Sequence, residues 1–367
     1  MTGEVLLTGG TGFVGMEVLA RYLERSDRRL ITIIRAADDS AARKRLDSVL
    51  TNMFGTRAEQ HRDRVEAVAG ELTASRLGLA RSRYAELAER VSTIVHSAAS
   101  VSFALPLPEA RAINVEGTRR MLDFAHAASE RGGLERYGHV STAYVAGTHP
   151  GRFAECDLDV GQQFRNSYEQ SKFEAEKLVR GGELPYTIMR PSIVVGDRNS
   201  GWTSAFNVLY WPLRAFARGL FKEVPAIPSA PVDVVSVDYV ADAIHELCEG
   251  GCGTGETYHL TAGAHASTIL EIAQAASRYF KRPLPTVMSP AEFAELKGPG
   301  NALEDSNVYF PYFSVGTVFD ETAARARLEP AGIGVSPLRE YLDRLLDFAT
   351  RSRWGKRPIA RVEALMR

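Results

Sequence analysis

Glu4-Val5-Leu6-Leu7-Thr8-Gly9-Gly10-Thr11-Gly12-Phe13-Val14-Gly15 is the stretch whose reading decides the fold. Val5 to Leu7 is a short apolar run that ends in glycines, and Met16 to Leu23 carries apolar residues at helical spacing. Strand, glycine turn and helix in that order form the context of a dinucleotide-binding fingerprint. Gly9, Gly12 and Gly15 stand at G-x-x-G-x-x-G spacing. Their expected tasks are a tight turn, close backbone approach to a pyrophosphate, and close packing of helix on strand. The pyrophosphate belongs at the helix N-terminus, where unpaired N–H groups and the helix dipole attract anions. The competing reading is a glycine-rich turn with no ligand.

The rest of the chain sets limits on that reading. Its 367 residues suffice for one large domain or two intimate ones. The formal net charge is −1, which gives no electrostatic footprint for nucleic acid. The three cysteines, Cys156, Cys248 and Cys252, are too few and too irregular for a disulfide framework or a zinc site. No metal site is expected. No signal peptide precedes the first strand, and no apolar run is long enough to span a membrane, so a soluble, cytoplasmic protein without membrane insertion is expected.

Outward from the fingerprint, Leu30 to Ile34 reads as a second buried strand, with Arg35 directly after it. An acidic residue at that point binds ribose hydroxyls, whereas a basic one suits a 2′-phosphate. Arg45, in a probable helix opening, is placed to reach the same phosphate, so NADPH is expected over NADH. The competing reading makes both arginines solvated surface charge. Asp38 and Asp39 favour the loop or the helix start. Val65 to Val68 reads as a third strand, and Gly70-Glu71-Leu72 after it as a flank for the adenine. Leu77 to Arg90 is charged and helical in pattern. Val91 to Ala99 reads as a fourth strand ending in Ser97, Ala98 and Ala99, small enough to leave room for a cofactor. Asn114 is expected to open an amphipathic helix, and Tyr137 to Val140 is a fifth strand leading to Ser141-Thr142. This alternation predicts an α/β fold, a doubly wound parallel sheet with right-handed crossovers.

Tyr168 and Lys172 lie four apart at the start of the next helical pattern and share one face. A nearby ammonium stabilises phenolate, so a lowered Tyr168 pKa is expected, making it a workable proton donor and acceptor. A Tyr-x-x-x-Lys pair alone matches many exposed helices. Behind a glycine fingerprint and a strand-end hydroxyl, it points to carbonyl reduction.

With these pieces in hand, the sequence resembles the extended short-chain dehydrogenase/reductases. The resemblance rests on Thr8 to Gly15, His96 to Ala99, Asn114, Ser141-Thr142, Tyr168 with Lys172, Arg190-Pro191-Ser192 and Val237 to Val240, and covers the chain to about residue 245. Within that group it is most similar to the thioester reductases. These are the terminal reductase domains of peptide and polyketide synthases, carboxylic acid reductases and fatty acyl-CoA reductases. The residues that carry this are Arg35 with Arg45, Ile94 to Phe103, Val140 to Val145 and Arg190 to Asp197. Glu71 departs from the Gly-Asp-Leu usual in the group. The resemblance implies Thr142, Tyr168 and Lys172 as catalytic residues, with Asn114 supporting a water relay behind Lys172. For the cofactor it implies Thr8, Gly9, Thr11, Gly12, Phe13, Val14, Gly15, Arg35, Arg45, Glu71, Leu72, Ser97, Ala98, Ala99, Lys172, Pro191, Ser192 and Val194. It also implies reduction of an acyl-CoA or of a carrier-bound acyl, polyketide or peptidyl chain to an aldehyde, with an acyl or peptidyl carrier protein as partner. The alternative is a reductase, epimerase or dehydratase acting on a free aldehyde, ketone or nucleotide sugar.

Residues 1–200 are expected to form the cofactor domain, with 232–250 returning to it. Residues 201–231 and 251–367 are expected to form a smaller α/β substrate lobe. Trp202 to Phe221 places large apolar residues at three- and four-residue steps, an amphipathic helix suited to an acyl chain or to simple packing. Val232 to Val237 reads as a strand, and Tyr258-His259-Leu260 as part of the lobe. Lys297 to Asn301 reads as a flexible turn, the hinge of a lid. The basic tail from Arg351 to Arg367 reads as solvated, with docking of an acidic carrier as the second reading.

Overall fold

The computed structural model describes residues 3–206, 208–220, 222–250, 253–297 and 310–366. Seven parallel strands form its central sheet: β1 (Glu4–Thr8), β2 (Leu30–Ile34), β3 (Val65–Ala69), β4 (Val91–His96), β5 (Arg136–Val140), β6 (Tyr186–Pro191) and β7 (Glu256–Leu260). Their spatial order is β7-β6-β5-β4-β1-β2-β3, so the chain winds outward from β1 in both directions. The reversal lies between β1 and β4, where a crevice opens beyond the strands' carboxyl ends. β2 and β4 are buried along their whole length, as a sheet covered on both faces requires.

Helices α1 (Phe13–Arg25), α2 (Asp39–Phe54) and α8 (Val237–Glu249) cover one face, through side chains such as Leu19, Leu46 and Ile244. Helices α3 (Arg81–Arg90), α5 (Gly117–Arg131) and α6 (Ser167–Arg180) cover the other, through Leu87, Phe124 and Val179. Between α3 and α5 lies α4 (Leu107–Arg111), and after α6 comes α7 (Tyr210–Ala217). A third apolar cluster, centred on Leu213, Ile272, Phe313 and Leu345, is the core of the lobe above the crevice. No helix of the described residues is long and apolar enough to cross a membrane.

Several elements differ from the sequence reading. β7 pairs with β6 in the central sheet rather than joining the lobe, because Tyr258 to Leu260 are buried there. Asn114 does not open a helix. α4 runs into α5 through a π-helical turn over Ala112–Glu116, and Asn114 sits inside that turn. The expected helix from Trp202 to Phe221 shrinks to α7. Pro212 is the third residue of that helix, where its missing N–H costs nothing, and one turn further in it would clash with a helical carbonyl. Val208 accordingly takes φ +36°. Ser75–Gly78 is a separate turn ahead of α3, with Leu77 at φ +60°. Val232 to Val237 is broken at Asp233. Pro231–Val232 pairs antiparallel with Ser267–Thr268, and Val234–Ser236 pairs parallel with Ile193–Val195. In the tail, Arg351, Arg353, Lys356 and Arg357 are exposed as expected, but Arg361 is buried and ion-paired to Glu17. Gly298 to Asn301, expected to hinge a lid, and Cys252 lie outside the described residues.

Candidate active site

The glycine turn after β1 is built as an anion cradle. Gly9 adopts φ +75°, a conformation that favours glycine, and a side chain there would meet the Ala98 backbone at 2.9 Å. The Gly12 N–H donates to the Gly9 carbonyl at 2.8 Å, closing the turn. A Cβ at Gly15 would stand 2.0 Å from that same carbonyl, so α1 packs against the turn only without one. Gly12 caps α1, and neither a side-chain cap nor a first-turn acid occupies the helix N-terminus. The opening donors of α1 thus face the crevice, where phosphate oxygens fit.

A cavity of about 690 Å³ runs from this turn to the lobe. Gly9, Thr11, Gly12, Phe13, Val14, Gly15, Arg35, Arg45, Glu71, Leu72, Ser97, Ala98, Ala99, Thr142, Tyr168, Lys172, Pro191, Ser192 and Val194 all line it. The structure therefore brings together nearly every residue the sequence singled out. The exceptions are Thr8 and Asn114.

Thr8 is fully buried beneath the turn. Its hydroxyl accepts the Ala98 N–H at 3.2 Å and lies 2.8 Å from His96 Nδ1, so it ties the ends of β1 and β4 together. Burial holds the His96 imidazole down to about 3, and it stays neutral. Asn114 donates to Ser100 O at 3.1 Å and to Ser171 Oγ at 2.9 Å, and accepts from the Ser100 N–H at 2.8 Å. Its amide fixes the loop after β4 against α6. The π-helical turn is what swings it inward.

Beyond the end of β2, Asp38 caps α2 by accepting the Ala41 N–H at 2.8 Å, and Asp39 accepts the Ala69 N–H at 2.7 Å. Both acids are spent on backbone. Arg45 donates to the Arg35 carbonyl, and both arginines line the cavity. Among the described residues, neither is ion-paired to a carboxylate. The Glu71 carboxylate turns to the hydroxyl and N–H of Thr73.

The catalytic end is held by α6 and the strand ends. Asn166 caps α6 by accepting the Glu169 N–H at 3.0 Å, which places Tyr168 as the second residue of the helix. The Tyr168 phenol and the Thr142 hydroxyl both line the cavity, and the Thr142 hydroxyl donates to Pro191 O at 3.3 Å. Lys172 Nζ donates to Val140 O at 2.8 Å, at the end of β5. The expected lowering of the Tyr168 pKa is not found: burial pushes the phenol up to about 12, partly offset by the Thr142 hydroxyl. Burial brings the Lys172 ammonium down to about 8, partly offset by Glu176. At neutral pH the site therefore holds a protonated phenol beside a charged lysine.

Behind them lies a buried ion pair. Arg190 Nη2 meets Glu176 Oε1 at 2.7 Å with both side chains fully enclosed, and Ser141 Oγ donates to Glu176 Oε2 at 2.7 Å. The Arg190 guanidinium lies over the Phe153 ring, donates to Asp157 O at 2.6 Å, and lies 3.0 Å from His259 Nε2. With Arg190 as the donor, His259 Nε2 is bare and Nδ1 carries the proton toward Asp320 O, 2.7 Å away. This network fixes α6 against β6 and so sets the spacing of Thr142 and Tyr168.

The wall facing the catalytic pair comes from residues outside the sequence's site list: Val101, Phe103, Tyr144, Ile193, Val208 and Tyr312. Val101, Phe103, Tyr144 and Ile193 fall inside stretches that carried the resemblance. Tyr312 comes from a segment with no periodic or motif signal, and only the tertiary fold brings it in.

The turn, the crevice and the Thr142–Tyr168–Lys172 constellation define a class: an NAD(P)-binding oxidoreductase domain of the extended short-chain dehydrogenase/reductase type. The chain belongs to the male sterility protein family, an NAD-binding family whose model matches residues 7–244. It is 30% identical over 287 residues to the carboxylic acid reductase of Mycobacterium marinum, covering 70% of this chain and 24% of that enzyme. It is 30% identical over 324 residues to an isonitrile lipopeptide synthase of Streptomyces coeruleorubidus, covering 86% of this chain and 21% of the synthase. The chain thus spans about a quarter or less of the length of these curated relatives. Among solved structures, the terminal R domain from the myxalamid PKS-NRPS biosynthetic pathway superposes with a TM-score of 0.82 at 25% identity, covering 97% of this chain and 93% of that one. A UDP-glucuronic acid 4-epimerase from Bacillus cereus shares the fold, with a TM-score of 0.67 at 16% identity over 97% of this chain and 99% of that one.

Proposed function

We propose that this chain reduces an acyl thioester, presented on coenzyme A or a carrier protein, to an aldehyde with NADPH. The observation that carries the reading is the pairing of Thr142, Tyr168 and Lys172 with an uncharged wall of aliphatic and aromatic side chains. A nucleotide sugar needs a polar partner for each buried hydroxyl, and this wall offers few, whereas an acyl chain needs none. The similarity to a carboxylic acid reductase, a lipopeptide synthase and a synthase R domain supports the same reading.

The residues present fit the cofactor. The glycine turn and the N-terminus of α1 would hold the pyrophosphate, Ser97 to Ala99 would leave it room, and Lys172 would hold the nicotinamide ribose. Arg35 and Arg45 would hold a 2′-phosphate, because arginine makes charge-assisted, often bidentate bonds to phosphate. When bound, the reduced nicotinamide supplies the hydride. Thr142 and Tyr168 hold the carbonyl oxygen, and Tyr168 gives it a proton as the carbon gains hydride. The resulting hemithioacetal breaks its carbon–sulfur bond, the sulfur leaves as a thiol with that proton, and an aldehyde remains. A second hydride and proton would carry the aldehyde to an alcohol. Lys172, charged at neutral pH, holds its ammonium at the end of β5, where it would meet the nicotinamide ribose.

The test is NADPH oxidation with an acyl-CoA, a carrier-bound acyl thioester, a free aldehyde and a nucleotide sugar in parallel. Turnover of a thioester is expected. Turnover of the nucleotide sugar with no thioester consumed overturns the reading.

A further inference from the structure

Tyr312 belongs to the lobe, on a 3-10 turn at Phe310–Ser314, yet its hydroxyl lies at the N-terminus of the catalytic helix. It donates to Glu169 Oε1 at 2.7 Å and accepts from Asn166 Nδ2 at 2.8 Å. Asn166 is the cap of α6, and Glu169 follows Tyr168 directly. The other Glu169 oxygen accepts the Arg165 N–H at 2.9 Å, and the Arg165 guanidinium lies 5.7 Å from the Tyr312 ring centre. One hydroxyl therefore joins the two side chains that fix the first turn of α6, on either side of the reacting phenol.

The ring of Tyr312 acts on the same point. It stacks on Phe103 at 5.2 Å, with 18° between the planes, and Phe103 lies 5.6 Å from the Tyr168 ring. Tyr144 meets Tyr312 edge-on at 5.0 Å. The main chain beside it is tied to the lobe, since the Ile227 N–H donates to Phe313 O at 3.3 Å. Glu169 is fully buried, so its carboxylate needs these donors.

We propose that Tyr312 is a positioning residue through which the lobe, once docked on α6, sets the position of Tyr168 for proton transfer. This rests on the reading above that Tyr168 is the proton donor. Productive geometry is demanding, and a misplacement of about 1 Å can cost roughly 10²-fold in rate. The lobe thereby supplies a part of the catalytic geometry as well as a wall for the substrate.

The test compares wild type, Tyr312→Phe, Glu169→Gln, the double variant and Tyr168→Phe, using the fastest carbonyl substrate of the panel and NADPH binding by fluorescence. Tyr312→Phe keeps the stack and deletes the hydroxyl. It is expected to lower kcat by about tenfold or more, with NADPH affinity within about twofold of wild type. The double variant is expected to lose no more than the larger single loss, because both changes act through the one contact between Tyr312 and Glu169. An unchanged kcat in Tyr312→Phe, additive losses in the double variant, or a fall in NADPH affinity in step with kcat overturns the proposal. If Tyr312→Phe fails to fold, Glu169→Gln carries the same test: a lowered kcat at unchanged NADPH affinity supports it, and a wild-type kcat overturns it. A fully active Tyr168→Phe overturns the underlying assignment of the acid, whereas an inactive Tyr168→Phe beside a wild-type-like Tyr312→Phe overturns the clamp alone.

Discussion

Arg35 stands where the chain leaves β2, and Arg45 holds its carbonyl from the first turns of α2. With Asp38 and Asp39 both bonded to backbone N–H groups, the rim offers a phosphate two cations and offers ribose hydroxyls no carboxylate acceptor from these two acids. Arg35→Ala is therefore expected to raise the Michaelis constant for NADPH by on the order of tenfold and to leave that for NADH nearly unchanged, a charge-assisted bond being worth roughly 1.5–3 kcal/mol. Steady-state kinetics with both cofactors checks it, and equal effects on the two contradict it. That these residues gather around one cavity was legible in the sequence because the signals are local. A glycine spacing, a basic residue at a strand end and a Tyr–Lys pair four apart keep their meaning within one turn or one helix face. What the sequence could not show is where each long side chain is spent. Lys172 reaches Val140 O rather than the phenol, and the Asn114 amide is consumed by Ser100 and Ser171. Both outcomes depend on contacts between distant segments.

The helix over Arg361–Leu365 shows how a charged segment can become structural. Arg361 Nε meets Glu17 Oε1 at 2.6 Å, and the Arg361 N–H donates to Asn52 Oδ1 at 2.8 Å, so the tail clasps α1 and α2 together. Glu17 is buried, and burial raises its carboxyl pKa despite Arg361 and Arg21 beside it. Removing one partner of a buried ion pair typically costs about 3–5 kcal/mol, and Arg21 remains here at 2.8 Å. Arg361→Ala is thus expected to cost about 2 kcal/mol in urea unfolding at neutral pH. A midpoint equal to wild type would contradict the clasp. Arg361 read as solvated like the rest of the tail because its partner, Glu17, lies more than three hundred residues away. α7 illustrates the opposite failure: the apolar periodicity from Trp202 to Phe221 was real, but Pro212 limits where a helix can start. Leu213 and Phe216 then pack into the lobe core, while Ala205 and Val208, ahead of the helix, line the cavity. β7 was misplaced for lack of a crossover signal, since its long-range pairing with β6 leaves no local mark.

At the scale of the molecule, a doubly wound sheet carries the cradle and the catalytic helix, and a lobe with its own core closes the far side of one continuous cavity. The sheet and its strand order follow from a regular alternation of buried strands and amphipathic helices, which is why they could be read in advance. The lobe is made of short pieces, two- and three-residue strands and brief helices, whose pairing is decided by tertiary contacts. The account's central claim is that this cavity presents a thioester carbonyl to a hydride on one side and to Tyr168 on the other. The most direct test supplies NADPH deuterated at the transferring position with an acyl thioester and follows products by mass spectrometry. The account predicts an aldehyde, or an alcohol derived from it, carrying deuterium on the former carbonyl carbon, with one equivalent of free thiol released and both products absent from Tyr168→Phe. Release of thiol without deuterium in the acyl product, or deuterium delivered to a ketone or a sugar while every thioester is left intact, would contradict it.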